Sequence, residues 1–115
     1  MKNIEIIERI NRMEGVADLS LPVNIAYAIK KNHKKLMSEY KDYEAMLDEL
    51  NAKYRDPDGQ VIKATEKEYQ KKLGELLSIE VEIAFHKIPE TIFESGEFEI
   101  TPKQLEILEF MIEIN

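Results

Sequence analysis

The sequence predicts a mainly α-helical fold with a small β element, an α+β fold organised around a long antiparallel helical hairpin. Three observations lead to this prediction. Nothing between Pro22 and Arg55 breaks a helix, the turn sequence DPDGQ follows at residues 56–60, and the apolar residues after Leu77 change from helical to alternating spacing. A short N-terminal helix, a small sheet of two or three strands and a C-terminal helix are expected to complete the fold.

Length and composition indicate one cytoplasmic domain. A chain of 115 residues buries roughly 65% of the surface that its unfolded form exposes, which is enough for one core but not for two. A single domain is therefore predicted for residues 1–115, with the hairpin at about 22–79 and the small sheet and C-terminal helix at about 79–113. The sequence contains no Cys, which excludes disulfides and thiolate chemistry, and neither a membrane span nor a signal peptide is recognisable.

The N-terminal segment is expected to form a short amphipathic helix. Ile6, Ile10 and Met13 recur at helical spacing, and Gly15 is placed to end the helix. A strand over residues 1–7 is the alternative, because Ile4 and Ile6 also alternate and so short a segment fits both patterns.

The long helix is expected to start near Pro22, because Ser20 is a suitable cap and proline suits the first helical turn. Along it, large side chains recur at alternating intervals of about four and three residues, the coiled-coil-like pattern of a helix that packs lengthwise against another. Tyrosines within this pattern supply a large apolar surface together with a hydroxyl, which suits contacts that are partly wet. The residues of this seam are the candidate interface: Ile29, His33, Leu36, Tyr40, Tyr43, Leu47, Leu50 and Tyr54.

A turn and a second helix are expected to bring the chain back along the first. In the DPDGQ sequence Pro57 fixes φ, Asp58 can accept a hydrogen bond from its own backbone neighbours, and Gly59 tolerates a positive φ. Thr65 and Glu68 match a capping box that would start the returning helix. The apolar face of that helix is expected to consist of Tyr69, Leu73, Leu76 and Leu77.

The length of the long helix bears on possible partners. A helix from Pro22 to Arg55 would be about 51 Å long, whereas a compact chain of this size is about 34 Å across. The hairpin is therefore expected to protrude, with the shorter returning helix covering only its distal part. The proximal part, around Ile25, Ile29 and Leu36, is expected to pack on the rest of the chain or on a second copy, which predicts a homo-oligomer as one outcome.

The residues after Leu77 predict a small sheet and a closing helix. Alternating Ile79, Val81, Ile83 and Phe85 indicate a half-buried strand, and a second strand is predicted at Glu97–Ile100. The two are expected to form an antiparallel pair whose outer face carries Glu80, Glu82, Glu97 and Glu99. Thr101 and Pro102 then begin a helix with the apolar residues Leu105, Leu108, Phe110, Met111 and Ile112.

The charges are unevenly distributed along the chain, which has a formal net charge of −7. Residues 1–57 carry ten basic and ten acidic side chains, whereas residues 58–115 carry six basic and thirteen acidic ones. The acidic half argues against wholesale binding to nucleic acid or to an anionic membrane. A candidate basic patch around His33 is either a solvated face or a contact for phosphates or an acidic protein surface, and it consists of Lys30, Lys31, Lys34 and Lys35.

Catalytic and metal-binding patterns are not recognisable in the sequence. His33 and His86 are the only histidines and show no zinc-ligand spacing, and the four strand glutamates are expected to form a solvent face rather than a cation site. No thiol, GxSxG element or glycine-rich phosphate loop occurs. We therefore expect no catalytic residue, no cofactor, no metal and no enzyme activity.

Five sequence blocks carry a family resemblance: LPVNIAYAIKKNHKKL, EYKDYEAMLDELNAKY, DPDGQV, ELLSIEVEIAFHKI and ITPKQLEILEFMI, in this order. Together they cover nearly the whole chain, which resembles a family of short uncharacterised proteins encoded by tailed phages and prophages of Gram-positive bacteria. The resemblance implies a phage or prophage origin and a place in the cytoplasm of an infected or lysogenic host. It assigns no catalytic or binding residue.

Three functional hypotheses follow. The first is a non-enzymatic assembly or accessory protein that self-associates through the hairpin. The second is an anti-host or anti-defence inhibitor whose acidic C-terminal half caps a basic surface. The third is a nucleic-acid accessory protein that uses the lysine patch.

Overall fold

The computed structural model describes residues 1–94, 96 and 98–114 and is mainly helical, with a small β element as predicted. Its α-helices are α1 (Asn3–Met13), α2 (Val23–Tyr54), α3 (Glu66–Leu77) and α4 (Pro102–Leu108). Short 3-10 helices occur at Glu14–Val16, Lys63–Thr65, Glu90–Ile92 and Glu109–Met111. The strands are β1 (Ile88–Pro89) and β2 (Ile112–Glu113).

The chain divides into two compact units. The first unit comprises Met1–Ile7 and Ser38–Glu82, and the second unit comprises Glu8–Met37 and Ile83–Asn115. Both α1 and α2 contribute residues to each unit. The organisation as a single domain stays a prediction.

In the first unit, the C-terminal part of α2 and α3 are joined by buried tyrosines. The rings of Tyr54 and Tyr69 lie 6.0 Å apart between their centroids. The hydroxyl of Tyr69 donates a hydrogen bond of 2.8 Å to Oδ1 of Asn51 and accepts one of 3.1 Å from Nη2 of Arg55. These contacts are polar at the hydroxyl and apolar at the ring, so Tyr69 bonds α3 to the end of α2 while remaining buried.

The turn between these helices has the conformation that glycine favours. Gly59 has φ of 83°, as the sequence predicts, and Arg55 and Val61 form an antiparallel bridge across the turn. The side chain that organises the turn is Asp56 and not Asp58, because Oδ1 of Asp56 accepts hydrogen bonds of 3.0 Å from the backbone N–H groups of Asp58 and Gln60. An aspartate that precedes a turn bonds the backbone two residues on, so the first of the two aspartates is better placed.

The predicted capping box at Thr65 and Glu68 is wrong. The hydroxyl of Thr65 points back and donates a hydrogen bond of 2.9 Å to the carbonyl oxygen of Ile62, within a 3-10 turn that precedes α3. The capping box of this chain lies at α4 instead. There the hydroxyl of Thr101 accepts from the N–H of Gln104 at 3.1 Å, and the Gln104 side chain accepts from the N–H of Thr101 at 3.0 Å.

The N-terminal residues pack against the end of α3 in the first unit. α1 is a helix, as predicted, and Lys2 forms an isolated antiparallel bridge with Glu80 just before it. The buried side chain of Asn3 donates a hydrogen bond of 2.9 Å to the carbonyl oxygen of Leu76. Because the last carbonyl groups of a helix have no partner within the helix, Asn3 caps α3 from another part of the chain.

The second unit contains the main apolar core and the sheet. The buried residues of this core lie in α2, β1, α4 and the 3-10 helices that follow α1 and α4. They are Val16, Ile25, Ala28, Ile88, Ile107, Leu108 and Met111. Strands β1 and β2 pair in parallel, with Ile88 opposite Ile112. The proximal part of α2 is thus covered by the chain's own C-terminal residues.

The predicted antiparallel strand pair is wrong. The described residues 81–87 have no regular secondary structure, and those from 98 to 100 lie outside both strands, while Glu97 lies outside the described residues. The backbone of His86 pairs with a side chain and not with a strand, because Asn32 accepts from its N–H at 2.7 Å and donates to its carbonyl oxygen at 2.9 Å. Ile112, expected in the closing helix, lies in β2, since α4 ends at Leu108.

Two conservative substitutions test the tyrosine contacts of the first unit. The buried hydroxyl of Tyr54 has no hydrogen-bond partner among the described residues, so Tyr54→Phe is expected to leave stability unchanged or to raise it by up to about 1 kcal/mol. Tyr69→Phe removes two hydrogen bonds and is expected to lower it by about 1–2 kcal/mol. Urea unfolding measures both. Equal losses in the two variants would contradict this account.

Candidate interaction surfaces

Three of the eight seam residues are buried inside the chain. Leu36 is fully buried in the second unit, and Tyr43 and Tyr54 are buried in the first. Burial makes these three side chains inaccessible to another protein. Ile29, Tyr40, Leu47 and Leu50 are half-buried, whereas His33 is exposed. The predicted self-association partly depended on a second copy covering Ile25 and Leu36. The chain itself buries both side chains, so no second copy is needed to cover them.

The fold changes the titration of the seam residue Tyr43. Burial raises the pKa of the Tyr43 hydroxyl, and repulsion from Tyr40 and Tyr69 raises this pKa further. The folded protein therefore holds this proton more tightly than the unfolded chain, in which the pKa of tyrosine is about 10. The resulting stabilisation is complete below pH about 10 and is lost as the pH rises through the higher pKa of the folded state.

We therefore expect stability to fall on the alkaline side, with Tyr43 as one cause. Tyr43→Phe removes the titrating hydroxyl, so the free energy of unfolding of this variant should decrease less than that of the parent above pH about 10. Urea unfolding at a series of alkaline pH values measures the difference, because the two chains differ only in this hydroxyl. Parallel pH profiles would contradict the assignment.

An apolar groove lies between α2 and α3 in the first unit. It has a volume of about 210 Å³ and is lined by the α2–α3 groove residues Met46, Leu50, Lys72, Glu75, Leu76 and Ile79. Met46 is 48% exposed and Ile79 is 49% exposed, so two large apolar side chains of the groove face solvent. Lys72 and Glu75 place one charge of each sign beside it. Leu50 is the member of the predicted seam that reaches this groove.

An acid-rimmed pocket lies in the second unit beside the sheet. Its volume is about 300 Å³. Its apolar lining consists of Phe93, Leu105, Ile112 and Ile114, and its carboxylates are Glu90, Glu94 and Glu109. Phe93 is held edge-on against Phe98, with 5.9 Å between the ring centroids. The three glutamates belong to the excess of acidic residues in the second half of the sequence, but nothing in the spacing of the lining residues indicates a common pocket.

A second apolar pocket of the same unit has a basic edge. About 290 Å³ in volume, it is lined mainly by small and aliphatic side chains between the end of α1 and the start of α2, with Lys30 and His33 beside them. The seam residue Ile29 also reaches it. Two members of the predicted seam and one lysine of the predicted basic patch therefore meet at this pocket.

The four lysines of the basic patch have different environments. Nζ of Lys35 donates a hydrogen bond to the carbonyl oxygen of Ala84, and the Lys35 side chain is half-buried. Lys30, Lys31 and Lys34 are exposed. Nζ of Lys31 lies 5.7 Å from the ring centroid of Tyr27. Tyr27 was not predicted as part of the patch, because no aromatic residue lies between the lysines in the sequence. It adds an exposed ring to the patch because it lies one helical turn before Lys31.

The histidines and the strand glutamates do not form a recognisable metal site. The described part of the chain contains no group of three or more His, Asp or Glu side chains that could hold a metal ion. The ring of His86 lies edge-on to Tyr27, with 5.7 Å between centroids. Glu80 lies 3.1 Å from the amino group of Met1, whereas Glu82 and Glu99 are exposed and Glu97 is outside the described residues.

Comparison with known proteins gives no further assignment. No family model, curated protein or solved structure matches this sequence. Among the described residues, no helix combines the length and the apolar character needed to cross a membrane.

Proposed function

We propose that this chain is a non-enzymatic phage or prophage protein of the bacterial cytoplasm that acts by protein–protein contact and self-associates through its helical hairpin. The phage setting is proposed on the sequence resemblance. The observation that supports self-association is the α2–α3 groove, where Met46 and Ile79 remain about half exposed beside Leu50 and Leu76. Exposed apolar side chains that line one groove are typical of a binding surface, whereas single exposed residues are ordinary.

The charges of the groove favour a second copy as its occupant. Lys72 and Glu75 lie on the same helix, three residues apart, and both line the groove. When two copies meet through a two-fold axis, each surface patch contacts itself, so a patch with one charge of each sign can pair both of them. Lys72 then faces the partner subunit's Glu75. The groove is small, so we expect a weak dimer that dissociates on dilution.

Two glutamate substitutions test this proposal. Met46→Glu places a carboxylate in the groove and is expected to raise the dissociation constant of the dimer by about 30-fold, the effect of losing one central contact. Ile62→Glu is the matched control, because Ile62 is exposed to a similar degree and belongs to the first unit but does not line the groove. Light scattering over a concentration series measures the mass. A monomeric parent, or an unchanged dimer of Met46→Glu, would contradict the proposal.

A second candidate function is favoured by the acid-rimmed pocket. The anti-host or anti-defence inhibitor would cap a basic protein with its acidic C-terminal half, and Glu90, Glu94 and Glu109 lie around an apolar depression in that half. The two candidate functions predict different oligomeric states for the purified chain. An inhibitor needs no second copy and stays monomeric, whereas the proposed assembly protein forms a dimer.

A further inference from the structure

An exposed ridge on α2 combines apolar and basic side chains in the second unit. We call it the α2 ridge, and it consists of Val23, Tyr27, Lys30, Lys31 and Lys34. Residues three, four, seven and eleven positions apart share one side of a helix, so the five side chains project together. Val23 is 86% exposed and Tyr27 is 57% exposed, so the ridge presents two neighbouring large side chains to solvent beside the lysines.

The aromatic ring at the centre of the ridge is held in place. His86 packs edge-on against Tyr27, and Lys31 lies over its ring, at 5.7 Å from the centroid in each case. An aromatic ring that is already ordered loses little conformational freedom when it enters a partner, and tyrosine is enriched in protein interfaces for this reason among others. The ridge therefore has a preformed aromatic anchor with cations beside it.

The acid-rimmed pocket has the opposite chemistry. It offers an apolar depression of about 300 Å³ with three carboxylates, and Ile114 at its edge is 75% exposed. This volume is at the lower end of the range for small-molecule sites, so it suits one or two protruding side chains better than a large ligand. Apolar surface with lysines and apolar surface with glutamates are complementary in both hydrophobicity and charge.

We propose that the α2 ridge of one copy docks into the acid-rimmed pocket of a second copy. Tyr27 is the anchor, and Lys30, Lys31 and Lys34 face the carboxylates. The exposed lysines of the otherwise neutral N-terminal half then lie next to carboxylates of the acidic C-terminal half of another copy. Because two different patches meet, the contact is heterologous and leaves a free ridge and a free pocket at the two ends of any open assembly. This contact is separate from the α2–α3 groove.

The experiment uses chains of all 115 residues that carry Met46→Glu, so that association through the groove is weakened equally in every sample. The ridge variant adds Tyr27→Ser with Lys31→Glu, and the pocket variant adds Glu94→Lys with Glu109→Lys. Three of these four side chains are charged and exposed, and Tyr27 is more than half exposed, so circular dichroism is expected to show folded proteins. Should the ridge variant not fold, Lys30→Glu with Lys34→Glu replaces it. Lys103→Glu matches the charge change of the ridge variant, and Glu44→Lys with Glu49→Lys matches that of the pocket variant. All three control side chains are exposed and lie outside both surfaces.

Sedimentation velocity of each chain alone and of mixtures gives the result. Each variant alone is expected to associate at least about 30-fold more weakly than the chain with both surfaces intact. An equimolar mixture is expected to form a heterodimer of nearly the original affinity, because one variant supplies an intact pocket and the other an intact ridge. Added salt should weaken this heterodimer, since the lysines and carboxylates lie at the edge of the contact.

Three results would overturn the proposal. The first is a chain with both surfaces intact that stays monomeric at the highest soluble concentration. The second is a mixture that associates no better than the separate variants. The third is binding of a fluorescent single-stranded oligonucleotide through Tyr27 and the lysines without any association between copies. That result would assign the ridge to nucleic-acid binding. None of these depends on the groove, so a failure here leaves the proposed function intact.

Discussion

Leu36→Glu is expected to unfold the second unit. Leu36 is fully buried, and a carboxylate at that position loses its hydration without gaining a cation. An uncompensated buried charge costs about 3–5 kcal/mol, and the lost packing of the leucine adds to this. A chain of this size has a total stability of roughly 6–17 kcal/mol, so the variant is expected to lose a large part of it.

Thermal unfolding followed by circular dichroism measures this loss. A decrease in melting temperature of more than about 10 °C is expected for Leu36→Glu. Leu36→Met is the control, because it conserves volume and apolar character and usually costs less than about 1.5 kcal/mol. A folded Leu36→Glu variant with nearly unchanged melting temperature would place Leu36 on an outer surface, against the structure. Loss of association in this variant would report unfolding and not an interface.

Asn32→Ala is expected to lower stability by about 3 kcal/mol. The fully buried amide of Asn32 replaces a strand partner for His86, with hydrogen bonds to both its N–H and its carbonyl oxygen. Truncation leaves two backbone groups without their partner, and each such group costs about 1–3 kcal/mol when it is buried. The Asn32 amide also lies 3.6 Å from Sδ of Met111, so the substitution opens space beside the core of the second unit.

Urea unfolding of Asn32→Ala and of a matched control measures this cost. Asn11→Ala is the control, because Asn11 is an exposed asparagine on α1 and its replacement is expected to change stability by less than about 0.5 kcal/mol. Asn32→Asp gives a further comparison, since it keeps an acceptor for the N–H of His86 but has no donor for the carbonyl oxygen. Equal stability of Asn32→Ala and Asn11→Ala would show that the pairing contributes nothing.

The helices of this fold were predictable because their signals are local. The proline at residue 22 and the turn sequence after Arg55 predict the ends of α2 within one residue of those observed, and the positive φ of Gly59 follows from the same turn sequence. Caps were less predictable, because Thr65 and Thr101 both precede a residue suited to a capping box and only the second forms one. A local pattern shows which hydrogen bonds a side chain can form. It does not show whether the side chain bonds the helix N–H group or another nearby backbone group.

The sheet could not be predicted because its determinants are distant in sequence. Alternating apolar residues after Leu77 have the spacing of a strand, but Asn32, more than 50 positions earlier, takes the backbone of His86. The short strands β1 and β2 are also far apart in the chain and carry no pattern of their own. Tertiary contacts therefore override the local preference of this segment.

The candidate surfaces were predictable only in part. The seam spacing includes buried side chains such as Leu36 but also the exposed His33. Packing inside the chain and packing on a partner require the same spacing, so the spacing does not distinguish them. The groove, the ridge and the acid-rimmed pocket depend on which apolar side chains remain exposed after folding. Met46, Tyr27 and Ile114 are such residues. Other Met, Tyr and Ile side chains of this chain are buried, so residue type alone does not predict which ones stay exposed.

Disulfide trapping across the α2–α3 groove tests the central claim most directly. The chain contains no Cys, so the Lys72→Cys chain and the Glu75→Cys chain each carry a single thiol. If two copies meet through the groove, mixing these chains under mild oxidation forms the crossed disulfide dimer faster than either chain paired with Gln70→Cys, whose exposed site on α3 lies away from the groove. Equal rates for all pairs would contradict self-association through the hairpin.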